Sequence, residues 1–180
     1  LNFSRPASGV YVQFYKLLRF GMAGYRQCEE NMMRNATFLR DGLRAMEHNG
    51  KARFVLLDDG DEHCLPVVTA MLNPDAGFTY DDIDLQHVLS QHHWYVSGYK
   101  MNYLHPISED TLPLFHDAEA GQTMFRIVVK GNLTRDMAED LLESFNAALS
   151  FLDSVDFSAL HGVSTKDMRH KDQRIVSNHC

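Results

Sequence analysis

The chain has 180 residues, enough for one domain that buries a substantial core. Its 44% hydrophobic and 23% charged residues are ordinary for a globular protein, and a net charge of −7 argues against nucleic acid as a general partner. No stretch approaches the roughly 18 uninterrupted apolar residues a membrane-spanning helix needs, and no basic-then-apolar leader opens the sequence, so neither membrane nor export is expected. Cys28, Cys64 and Cys180 are odd in number and form no CxxC pair, which predicts reduced thiols in a cytosolic protein rather than a disulfide framework.

Apolar residues recur at steps of three and four from Phe14 through Leu17, Gly21, Tyr25, Cys28, Met32, Ala36, Leu39 and Leu43 to Met46. This predicts one long helix with a single apolar stripe, opening near Ser8 and capped at Asn49-Gly50, with Gly21 and Gly24 as points where it bends or admits a neighbour. At 1.5 Å per residue it would be roughly 60 Å long, too long for a small sheet to cover alone. Phe54–Leu57 and Leu65–Leu72 read as a strand pair joined by an acidic turn, Asp58-Asp59-Gly60-Asp61. Thr79 with Asp82 resembles a helix-opening cap, and the helix would run to about Gln91. A short strand is expected at Trp94–Val96, then a polar connection containing Pro106 and Pro113, then a strand at Thr123–Val129. Thr134 caps a last helix whose stripe is Met137, Leu141, Phe145, Ala148 and Leu152, and a polar tail follows. This order of elements fits an α/β (α+β) domain, a small antiparallel sheet with helices on one face, preceded by a long helix.

One charged side chain sits inside a predicted strand. Arg126 lies in Met124-Phe125-Arg126-Ile127-Val128-Val129, and a guanidinium among apolar neighbours must find an anion. Two partners are open: an acid of the last helix (Asp136, Glu139, Asp140 or Glu143), or a bound carboxylate, whose two oxygens suit the planar group. None of the ten histidines forms HExxH and no Cys/His set has zinc spacing, so no metal is expected.

Several segments in order resemble the glutamate decarboxylases, enzymes that use pyridoxal phosphate. They are Asn2-Phe3-Ser4-Arg5-Pro6, Arg19-Phe20-Gly21 with Gly24-Tyr25, Pro74 to Tyr80, Trp94 with Val96, Phe125-Arg126-Ile127, and Arg135-Asp136-Met137-Ala138. The resemblance runs from Leu1 to about Leu152. It implies the C-terminal portion of such an enzyme, the small domain of a fold type I transferase-like protein. Residues 1–50 would be an interface segment and a helix linking the large and small domains, 51–157 the small domain, and 158–180 a polar tail. The implied reaction is decarboxylation of L-glutamate to 4-aminobutyrate and carbon dioxide, in a cytoplasmic homodimer or higher homo-oligomer.

By the same resemblance Arg126 holds the substrate α-carboxylate, Phe3 lines the glutamate pocket, and Ser4 contacts the cofactor phosphate at the dimer interface. Without the family, Asn2 to Pro6 would read as a turn ahead of a helix. The Schiff-base lysine is expected upstream, so no catalytic residue of that kind lies in this chain. Ser97-Gly98-Tyr99-Lys100 looks like the family's Ser-x-His-Lys line but follows Trp94-Tyr95-Val96 and lacks the histidine, so Lys100 is read as a surface lysine. His179 matches the penultimate histidine with which some acid-resistance members close the active site at neutral pH, a task suited to its titration range. Lys166, Arg169, Lys171 and Arg174 are basic, but no Trp or bulky apolar face accompanies them, so a calmodulin-binding tail is not expected. The alternatives are another pyridoxal phosphate-dependent amino-acid decarboxylase or lyase, or a stand-alone non-catalytic α/β binding module.

Overall fold

The computed structural model describes residues 6–58, 60, 64–108, 110–113 and 121–155. Phe3, Ser4, His179 and the basic residues of the tail lie outside them. Helix α1 spans Ser8–Arg44, β1 Glu47–His48, β2 Lys51–Ala52, β3 Phe54–Leu56, β4 Val67–Leu72, α2 Asp82–Gln91, β5 Ser97–Lys100, β6 Asn102–Leu104, β7 Thr111–Pro113, β8 Thr123–Val128 and α3 Arg135–Ser154. A single 3-10 turn, Pro74–Ala76, lies between β4 and α2. No described helix is long and apolar enough to cross a membrane.

The main sheet is antiparallel throughout, in the order β3-β4-β8-β5. Its two central strands, β4 and β8, alternate between buried and more exposed positions, as strands covered on one side do. Phe54, Val68, Ala70, Leu72, Phe125, Ile127 and Val129 are buried with Ala36, Leu39 and Leu43 of α1, Leu85 and Leu89 of α2, and Leu141, Phe145 and Leu149 of α3. Phe54, Phe125 and Phe145 meet at ring-centroid distances of 5.4 to 6.2 Å and form the centre of this layer. The expected sheet with helices on one face is therefore present.

The long helix bends at Gly21, whose φ of 56° and ψ of −174° break the helical run. Its two halves differ. Asn35, Ala36, Leu39, Arg40 and Leu43 are buried against the sheet, whereas Val10, Tyr11, Phe14, Tyr15, Leu17 and Leu18 are all more than half exposed. The helix stops at Arg44, several residues before the expected cap. Asn49 and Gly50, with φ of 52° and 75°, instead form the two-residue turn of the β1–β2 hairpin, where both central residues need positive φ.

Other boundaries move for identifiable reasons. The cap of α2 is Asp81 rather than Thr79: its carboxylate accepts from the backbone N–H groups of Ile83 and Asp84, and Asp84 accepts from Asp81 in return. The strand expected at Trp94–Val96 begins at Ser97. His93 takes a φ of 65° and the Trp94 amide bonds back to Leu89, so those residues belong to the helix exit. The polar connection contains the β6–β7 hairpin. The last helix opens at Thr134 as expected, with the hydroxyl accepting from Met137, but Met137 is exposed and Ala138 takes the buried place.

Gly98 lets α2 approach β5. A Cβ there would lie 3.0 Å from the Asp82 carbonyl oxygen. Asp82 itself is 2% exposed and ties three elements together: its carboxylate accepts from the Leu72 amide at 2.9 Å and the Thr123 hydroxyl at 2.7 Å. Burial pushes its pKa up to about 6, although both hydrogen bonds favour the ionised form. A raised carboxyl stabilises the fold fully below the ordinary value of 3.8, and that contribution is lost as pH rises through about 6. The shift corresponds to about 3 kcal/mol. Asp82→Asn is therefore expected to flatten the dependence of stability on pH between about 4 and 6, read from urea midpoints of the complete protein. An unaltered slope would show that another group titrates there.

Candidate functional site

Strand alternation decides where the charged residue of β8 goes. Phe125 and Ile127 face the helices, so Arg126 faces the other way and is exposed, together with Val128. This corrects the expectation of a buried guanidinium. It also excludes the acids of α3 as partners. Asp136, Glu139, Asp140 and Glu143 are exposed on a helix that packs against the opposite face, and among the described residues no carboxylate forms an ion pair with Arg126.

The open face around Arg126 is polar at its centre. Thr69 of β4 and Ser97 of β5 are its direct cross-strand neighbours, one on each side. Tyr99 stands one step along the same face of β5, opposite Met124. Its hydroxyl accepts from Arg126 Nη2 at 2.9 Å, and its ring centroid lies 5.3 Å from Arg126 Cζ. Thr69 is already engaged: its hydroxyl donates to Asp58 at 3.2 Å and its amide at 2.7 Å. Asp58 in turn pairs with Arg40, which is 3% exposed, through the Arg40 Nε at 2.6 Å. Asp58 thus holds β4 beside Arg126 instead of serving only as a turn acid.

Lys100 also lies on β5, but one position from Tyr99, and so on the face opposite Arg126. The remaining ionisable cluster is remote from this face. Arg53, 8% exposed, donates to Asp153 at 2.8 and 3.2 Å and to the Tyr80 hydroxyl at 3.0 Å, with His48 alongside. Burial and the Asp153 carboxylate push the Tyr80 phenol above the usual tyrosine range. Burial alone would raise Asp153, but the hydrogen bonds from Arg53 and Tyr80 outweigh it and hold its carboxyl low. The network fastens the end of α3 to the segment before β3. Sequence reading missed it because its central pair, Arg53 and Asp153, lies 100 positions apart. Among the described residues no group of three His, Cys, Asp or Glu could hold a metal ion.

No protein-family model matches the chain. It is 28% identical over 164 residues to glutamate decarboxylase 1 of Arabidopsis thaliana, covering 91% of this chain and 28% of that protein. It superposes on the solved glutamate decarboxylase of Lactobacillus brevis with a TM-score of 0.69 and 28% identity, over 87% of this chain and 31% of that one. A likeness of fold alone extends to the serine palmitoyltransferase of Sphingomonas wittichii, at a TM-score of 0.55 and 18% identity, over 87% of this chain and 32% of that one. The fold is thus that of part of a fold type I enzyme, mixed α/β as expected. The chain spans less than a third of the length of each of these proteins. It is homologous to the glutamate decarboxylases and corresponds to a part of one.

Proposed function

We propose that this chain is the C-terminal portion of a pyridoxal phosphate-dependent glutamate decarboxylase, and that Arg126 holds the α-carboxylate of L-glutamate. The observation that carries the reading is the placement of Arg126: a guanidinium at the middle of an open sheet face, joined to a phenol and to no acid among the described residues. Such a group has hydrogen-bond donors left for both oxygens of a carboxylate.

The described residues suit the substrate end of the site better than the cofactor end. Lys100, the one lysine on the four-stranded sheet, faces away from Arg126, so attachment of the cofactor falls to residues outside this group. Ser4 at the cofactor phosphate, Phe3 in the glutamate pocket and His179 as a pH-dependent closure belong to the same proposal, on positions outside the described residues. When bound, pyridoxal phosphate would supply the sink for the electron pair released as the carboxylate leaves. What this chain supplies is orientation. The carboxylate departs as neutral carbon dioxide, so a tight ion pair alone favours the ground state and opposes the step. Arg126 contributes by fixing the direction of the bond that breaks.

The division into an interface helix over 1–50, a small domain over 51–157 and a tail over 158–180 belongs with this reading. So does a cytoplasmic homodimer or larger assembly. The exposed apolar residues of the first half of α1 support it, since such a surface needs a partner. The test is turnover by the complete protein supplied with pyridoxal phosphate. Glutamate is expected to be converted to 4-aminobutyrate, with aspartate and aromatic amino acids poor substrates. Preference for one of the latter would leave a decarboxylase of another amino acid, and no turnover of any would leave a binding module.

A further inference from the structure

We propose that Tyr99 positions Arg126 and is itself a second donor to the carboxylate that Arg126 binds. This rests on the reading of Arg126 given above. The direction of the hydrogen bond between the two residues carries the argument. A guanidinium only donates, so the 2.9 Å contact from Nη2 makes the phenol oxygen the acceptor. The phenol's own hydrogen is then free to donate elsewhere, and among the described residues it has no acceptor. Donation from the cation polarises the O–H and strengthens it as a donor.

Position supports the same assignment. Tyr99 and Arg126 share the open face, where the phenol and the guanidinium hold each other through the hydrogen bond and the ring contact. The ring lies near the guanidinium and limits its rotation, which lowers the ordering needed when substrate binds. Ser97, on the same face and directly beside Arg126, leaves room there because its side chain is small. Thr69 is not a rival donor, since its hydroxyl is taken by Asp58. The site is therefore two-pronged: guanidinium N–H groups on one side and a phenol O–H on the other, converging on one carboxylate.

The test uses the complete protein with pyridoxal phosphate and compares Tyr99→Phe, which keeps the ring, with Tyr99→Leu, which does not. Tyr99→Phe is expected to lower kcat/KM for glutamate roughly ten- to a hundredfold, with a fall in kcat beside a rise in KM because the lost contact loosens the direction of the bond that breaks, and Tyr99→Leu to lower it further. 4-Aminobutyrate supplies the control. It keeps the side-chain carboxylate of glutamate but lacks the α-carboxylate, so its calorimetric binding constant should be the same in Tyr99→Phe as in the unsubstituted protein. Equal weakening of both ligands would mean that Tyr99 serves the fold or the side-chain carboxylate, and would overturn the proposal. So would an unchanged kcat/KM in Tyr99→Phe. If the unsubstituted protein does not turn over glutamate, the reading of Arg126 fails, and this inference with it.

Discussion

Arg126→Ala is expected to lower kcat/KM for glutamate by roughly a thousandfold, and Arg126→Lys by roughly a hundredfold. The two numbers differ for a geometric reason. Alanine removes the carboxylate's partner altogether. Lysine restores a positive charge but not the planar fork that fixes two oxygens at once. If charge alone mattered, lysine would recover most of the activity. Because the departing group loses its charge as it leaves, attraction in the ground state adds nothing to the rate, and the loss in Arg126→Lys measures orientation. The side chain is exposed and outside the core, so both variants should unfold at the same urea concentration as the unsubstituted protein. Steady-state kinetics beside urea unfolding would check both halves of the claim. Near-normal turnover in Arg126→Lys would remove two-point positioning from the mechanism.

Asp58→Ala is expected to destabilise the fold by about 3–5 kcal/mol, more than Asp82→Asn or any change at Arg126. Its partner Arg40 has a side chain only 4% exposed, and losing the carboxylate would strand that charge in the interior. The amide and hydroxyl of Thr69 lose their acceptor in the same step. The double variant Arg40→Met with Asp58→Ala should be far less damaged, because removing both members of a buried pair avoids the stranded charge. Urea unfolding of the two single variants and the double completes the cycle. If the double variant is as unstable as the sum of the singles, the pair is not coupled and another role must be found for Asp58. Arg126 lies directly across from Thr69, so Asp58→Ala should also loosen the strand beside Arg126.

What can be read in the sequence is what depends on near neighbours. The alternation of β4 and β8, the Thr134 cap and the bend at Gly21 each follow from a few adjacent residues. Errors arise where one signal serves two structures. Asn49-Gly50 suits a helix end and a hairpin turn equally, and only the pairing of His48 with Lys51 chooses the latter. The order of Thr79, Asp81 and Asp82 offers three capping side chains within four positions, and packing decides among them. Arg126 stands out in the sequence for the wrong physical reason: apolar neighbours suggest burial, while the period of two in a strand sends it to the opposite face. Tyr99 escapes notice because its segment draws attention to the adjacent lysine. The link from Arg40 through Asp58 to Thr69 needs contacts 11 and 18 positions apart, which no local pattern announces.

β8 sorts its tasks by parity. Odd-numbered positions 125 and 127, continued by Val129 just past the strand, hold the helices, and even-numbered positions 124, 126 and 128 are turned outward. Positions 124 and 128 can therefore be randomised around an unchanged Arg126 with little disturbance of the hydrophobic layer. Inserting or deleting one amino acid within the strand would have the reverse effect, driving a guanidinium inward and two large apolar groups into water together.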